Sequence, residues 1–230
     1  MEDMEDLSQQ QKVTAVASIG DPLRRSLFEF VTRSGTAVDR DEAATALGIP
    51  RGTAAFHLER LAESGLLETE FRRRSGKTGP GAGRPAKFYR RASTEIVVSV
   101  PERHYDLAAE LLSSAIEEAE RTGDPIGEAI ERVSTEFGRR LGTEAGSLEQ
   151  MLEATGYEPL ATDDGGLILA NCPFHRLAQW HTATICAANA ALLRGAAQGA
   201  DESARVVRLE PRDGHCCVQV RAPIVEKSNG

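Results

Sequence analysis

No cysteine precedes Cys172 in this 230-residue chain, and all four cysteines, Cys172, Cys186, Cys216 and Cys217, fall in its last third. Disulfides spread through the fold are thereby excluded. In a reducing compartment such clustering points to a metal site or to redox chemistry. Long apolar runs are missing too: nothing approaches the ~20 residues that cross a bilayer, so no membrane-spanning helix is expected. The acidic, polar stretch from Met1 to Gln11 lacks the character of a signal or transit peptide, and the expected location is the cytoplasm. There is no internal repeat. What remains, 40% hydrophobic residues and a net charge of -8, describes a globular protein of one or two domains rather than a disordered one.

A net negative charge argues against nucleic-acid binding only if the charge is spread evenly, and here it is not. Between residues 51 and 91 stand Arg51, Arg60, Arg72, Arg73, Arg74, Lys77, Arg84, Lys87, Arg90 and Arg91, opposed only by Glu59, Glu63, Glu68 and Glu70. One basic segment in an acidic chain is the footprint of a phosphate-binding surface.

The residues around that segment predict a helix-turn-helix. Asp21 is an N-cap followed by Pro22 at the first helical position, and Leu23, Leu27, Phe30 and Val31 form one apolar stripe that Gly35 ends. A short helix is expected over 40–47 with Gly48 supplying the left-handed turn, and a third over 50–64. On the third helix Ala54, Leu58 and Leu61 recur at core spacing, which turns Gly52, Thr53, Phe56 and Arg60 outward. Arg51 and Thr53 can donate to phosphates or base edges, His57 is a further candidate contact, and an outward Phe56 suits an apolar target such as a thymine methyl. A strand over 66–73, a Gly-, Pro- and base-rich stretch over 75–85 and a returning strand over 87–91 then make a wing. Arg72, Arg74, Lys77, Arg84 and Lys87 on it are candidates for the DNA backbone or minor groove.

The segment LGIPRGTAAFHLERLAESGLLETEFRRR, closed by GRPAKFYRR, resembles the winged helix of the ArsR-like bacterial regulators over about a third of the chain. It departs from that pattern at Ala55 and Phe56, where a small polar residue and an Arg or Tyr are more usual. The cysteine motif that some members carry near the recognition helix is absent. The resemblance implies a twofold homodimer on double-stranded operator DNA, reading half-sites about one helical turn apart. Two amphipathic helices are candidates for pairing the subunits or for core. One opens at Pro101 after a strand over 96–100 and carries Leu107, Leu111, Leu112, Ala115 and Ala119. The other follows Pro125 and carries Ile126, Ile130, Val133, Phe137 and Leu141.

The expected fold is α+β: a winged-helix domain over 1–95, a helical dimerisation region over 96–145 and a small sensor domain over 146–230. In the last, a short helix ending near Thr155, a hairpin through 163–166 and another through Asp213-Gly214 frame the thiols. Its CPFH, the Cys186 before ANAALLRG and the final HCCVQV resemble the Suf-type iron–sulfur-sensing repressors. That resemblance implies a [4Fe–4S] or [2Fe–2S] cluster on Cys172, Cys186 and Cys216, with His175, His215 or Cys217 completing the set. Strand alternation also favours Cys216, in line with Val218 and Val220, over Cys217, in line with Gln219 and Arg221. A continuous helix from 172 to 186 would hold those two sulfurs roughly 20 Å apart, so a break is predicted at 180–182. Zinc, a thiol-redox switch, a small organic effector and ordinary buried cysteines are the other readings. An enzyme is not expected, because no nucleophile elbow or oriented catalytic third group accompanies the Cys–His pairs.

Overall fold

Two side-chain carboxylates set the N-terminal helices. Asp21 Oδ1 accepts from the backbone N–H of Leu23 and Arg24, both at 2.9 Å, and starts α2 (Pro22–Arg33). Asp39 does the same for α3 (Arg40–Leu47) and forms a reciprocal box with Glu42, satisfying donors that a helix start leaves open. Gly48 ends α3 with φ +64°, and α4 (Arg51–Glu63) follows from Pro50. This computed structural model describes residues 7–73 and 85–222. The chain falls into two units, Met1–Val98 and Ser99–Gly230.

In the first unit a three-stranded antiparallel sheet has the order β1 (Val38–Asp39), β3 (Ala86–Arg91), β2 (Leu67–Arg72), with Leu67 opposite Arg91 and Arg72 opposite Ala86. Its core joins Leu27, Val31, Leu58, Leu61, Leu67 and Tyr89. Two elements go beyond the sequence expectation. Strand β1 is only two residues long, and α1 (Gln9–Ser18) starts in the polar N-terminal stretch. The signal for α1 was a capping box, Ser8 with Gln11. Its Ala15 is fully buried.

The second unit opens with α5 (Tyr105–Thr122), α6 (Ile126–Ala145) and α7 (Leu148–Ala154). The expected strand over 96–100 does not form, and α5 starts four residues later than Pro101. The reason is tethering: Arg103 N–H donates to Ser99 Oγ at 2.7 Å and His104 N–H to the Pro173 carbonyl at 3.3 Å, which docks this stretch on the turn after Cys172 instead of winding it into helix. The four-stranded antiparallel sheet that follows has the order β4 (Pro159–Ala161), β5 (Leu167–Leu169), β7 (Val218–Arg221), β6 (Val206–Leu209). Between β5 and β6 lie α8 (His175–Trp180) and α9 (Thr182–Gly199). The break between them falls at His181, inside the predicted window.

Helix α9 is apolar nearly all round, as a central helix must be. It buries Ile185, Cys186, Leu192, Leu193 and Asn189. Helix α6 lies along it and belongs to the same unit, so the residues expected to form a separate helical region are part of the C-terminal body. Of the apolar stripe expected on α6, Val133, Phe137 and Leu141 pack half-buried against the core while Ile126 is exposed, and the fully buried positions are Ala129, Ser134, Gly138 and Gly142. These small residues let two backbones touch. A Cβ on Gly138 would fall onto the Leu192 carbonyl and one on Gly142 onto that of Ala196, while Gly195 and Gly199 of α9 meet the carbonyls of Thr135 and Arg139. Gly138→Ala must therefore push the helices apart at a cost of about 1–3 kcal/mol. Gly127→Ala at an open position of the same helix should be neutral or stabilising by about 0.5–1 kcal/mol. Thermal and urea melts of the two variants check this, and equal effects would contradict the close-packed seam.

Candidate functional site

Two groups of side chains stand out, one in each unit. In the first, α4 carries Ala54, Leu58 and Leu61 fully buried, and its opposite face exposes Arg51, Gly52, Phe56 and Arg60, with Thr53 half-buried. Phe56 is 55% exposed. The Arg60 guanidinium lies 5.5 Å from its ring centroid and His57 stands edge-on at 5.2 Å. Arg51 pairs with Asp41, and Arg60 with Glu63 at 3.2 Å. Pairs this exposed are worth little and exchange readily for a phosphate.

Other candidates have internal duties. Lys87 Nζ donates to Glu59 Oε2 at 2.6 Å, and Tyr89 Oη donates to Glu59 Oε1 at 2.8 Å, tying the hairpin to α4. Burial raises the Glu59 pKa, but these two hydrogen bonds and the lysine charge outweigh it and leave the carboxyl below its usual range. Burial and the same carboxylate drive the Tyr89 hydroxyl pKa upward. Arg72 donates to the Ala37 carbonyl at 2.8 Å and stacks 3.9 Å from the Phe88 centroid, so it braces the sheet. His57 is half-buried, and its Nδ1 has no hydrogen-bond partner among the described residues. Arg74, Lys77 and Arg84 lie outside the described residues.

Residues 19–70 match the family model of a helix-turn-helix domain. The match runs from the residues before α2 through α4 and into β2. No curated protein and no solved structure matches the chain. The N-terminal unit is thus a helix-turn-helix domain of the kind found in DNA-binding transcription regulators, followed by an antiparallel hairpin in the position of a wing.

In the second unit the thiols come from three places: the turn before α8, the first turns of α9 and the bend before β7. Cys186 and Cys217 form a disulfide with Cα atoms 6.7 Å apart, while Cys172 and Cys216 are free and buried. The Cys216 thiol hydrogen-bonds Cys172, which lowers the Cys172 pKa against the opposing effect of burial, with help from the Phe174 N–H and the Arg103 charge. The same contact and burial push the Cys216 pKa strongly upward. Asn189, one turn beyond Cys186, donates from Nδ2 to Cys216 Sγ at 3.3 Å and accepts from Tyr157 Oη at 2.5 Å. Arg103 donates to the Cys172 carbonyl at 3.2 Å and to Asn171, whose amide in turn holds the Gly156 carbonyl at 2.6 Å.

Strand alternation placed Cys217 on the polar side, away from the others. The structure places it against the core beside Cys186, because β7 begins only at Val218 and the bend before it frees two neighbours from alternating. The histidines are not gathered with the sulfurs. His175 is exposed, with Nε2 on Gln179 at 3.1 Å. His215 holds the Asp213 carbonyl at 2.9 Å, and His181 is exposed at the helix break. With Cys186 and Cys217 bonded to each other, no group of three or more His, Cys, Asp or Glu side chains among the described residues is arranged to hold a metal ion. Asn189, Tyr157 and Arg103 were not foreseen as parts of this centre. The one legible signal was an asparagine inside the otherwise apolar run ICAANAALL.

Two outcomes are expected. Peptide mapping without reductant should recover Cys186 linked to Cys217 and alkylated Cys172 and Cys216; a Cys172–Cys186 link would contradict the arrangement. Glu59→Leu should destabilise the N-terminal unit by about 1–3 kcal/mol by stripping the buried Tyr89 hydroxyl of its acceptor. The stabilisation from Glu59 is present at neutral pH and lost as pH falls through the depressed folded-state pKa, so acid denaturation of wild type and variant should converge at low pH.

Proposed function

We propose that this chain is a homodimeric winged-helix transcriptional repressor whose grip on operator DNA follows the state of the sulfur centre in its second unit. The observation that carries the reading is the joint presence of a helix-turn-helix domain and four cysteines brought together in pairs by three separate elements. Buried thiols beside a fixed amide donor and a guanidinium that holds the Cys172 carbonyl are more than core filling.

The donor chemistry fits an iron–sulfur cluster once the Cys186–Cys217 bond is reduced. Cys172, Cys186 and Cys216 would hold it with Cys217 as the fourth ligand, in preference to the exposed His175. All-thiolate ligation is what such clusters and structural zinc share. Bound there, the cluster supplies one-electron redox sensitivity. The chain supplies the rest: Asn189 and Arg103 hold charge on the sulfurs, and α9 fixes their spacing. Exposed Ile116 on α5 and Ile126 on α6 offer apolar surface for a second subunit, which would set two reading heads one DNA turn apart.

A second reading is favoured by the Cys186–Cys217 disulfide itself. Here the two thiols give up two protons and two electrons to a peroxide or another disulfide, and the new S–S bond is the signal. Oxygen-free purification with iron and acid-labile sulfide analysis separates the two. The cluster reading predicts visible absorption with iron and sulfide in the wild type, all lost in Cys172→Ser without loss of fold. Colourless, iron-free wild type whose thiols nonetheless cycle with peroxide would overturn the cluster in favour of the thiol switch.

A further inference from the structure

Phe56 stands in the middle of α4 with more than half its surface in solvent, where a large apolar side chain gains little from burial. Helical side chains lean toward the N-terminus of their own helix, so the ring leans toward the turn that holds Gly52 without touching it. A Cβ at Gly52 would meet nothing within 4 Å, and glycine inside a helix is less stable than alanine. The packing of this unit therefore gives no reason for glycine there. Its effect is to clear the approach to Phe56 from outside.

The polar complement of the same face narrows what can approach. Helix α4 has no Asn or Gln, the side chains that read adenine by two hydrogen bonds. Glu59, which could accept from cytosine, is held by Lys87 and Tyr89, and Glu63 is the last residue of the helix, two turns from Phe56. Arg51, Arg60 and the half-buried His57, whose Nδ1 has no partner among the described residues, remain for phosphate or guanine. Thr53 and Phe56 are left for an apolar target, and in the major groove the only apolar group that bases display is the C5-methyl of thymine. The basic character of residues 51–91 gives the charge complementarity to duplex DNA rather than to an apolar protein partner.

We propose that Phe56 is a specificity-determining residue that reads a thymine methyl in the major groove, with Arg60 steadying the ring and Gly52 giving it access. This rests on the DNA-binding reading and names what that site recognises. A random duplex pool is enriched on the full-length protein, and thymines of the enriched duplex are replaced one at a time by deoxyuridine, which removes only the methyl group. Wild type should lose about fourfold in affinity at one thymine per half-site, the value of one buried carbon, whereas Phe56→Ala should bind the two duplexes equally. Phe56→Leu should keep part of the discrimination. Because the ring is exposed, Phe56→Ala should melt as wild type does. An enriched duplex with no methyl-sensitive position, or with the same sensitivity in Phe56→Ala, would overturn the role of Phe56 and leave DNA binding standing. Failure to enrich any duplex would remove both.

Discussion

The depth at which α9 sits decides almost everything in the second unit. It is set by backbone contact with α6, at Gly138 and Gly142 on one helix and Gly195 and Gly199 on the other. Small residues exchange side-chain packing for close approach, so α9 passes through the body as a nearly fully buried rod. From that position its Cys186 reaches Cys217, and its Asn189 reaches Cys216 and Tyr157. Lift α9 outward and the sulfur centre comes apart, although no sulfur touches the seam.

Burial then governs the chemistry. Asn189 is 1% exposed, and a buried amide must place both its donor and its acceptor. Tyr157 takes the oxygen, which leaves the NH2 group facing Cys216 and fixes the polarity of the network. Around Cys172 the Phe174 N–H and the Arg103 charge favour the thiolate. Both free sulfurs are buried away from water. In the first unit Glu59 plays the comparable part, gathering Lys87 and Tyr89 and locking the hairpin to α4. That leaves Arg51, Arg60, Thr53 and Phe56 on the outer face of α4.

Much of this was legible in the sequence where a single residue type has a single job. Asp21, Pro22, Gly35 and Gly48 marked α2 and α3 closely, and the distance between Cys172 and Cys186 demanded the break found at His181. What stayed hidden depends on tertiary partners. The closest contact of α6 was missed because periodicity counts large apolar residues such as Val133 and Phe137, and that contact is made by Gly138 and Gly142. Cys217 was misassigned because alternation presumes a regular strand, and the bend before Val218 is not one. Lys87 and Arg72 look like phosphate ligands in one dimension. Only the fold reveals that Glu59 and the Ala37 carbonyl hold them.

Coupling between the sulfur centre and the helix-turn-helix unit would be a difference in DNA affinity between two states of one protein. The direct measurement is the affinity of the full-length chain for one duplex at one salt concentration, first with the centre reduced and then oxidised. Wild type should differ between the two by at least about fivefold, and Cys186→Ser, which removes a member of the disulfide, should not differ. Identical affinities in wild type would show that the thiols and the helix-turn-helix share a chain without sharing a function.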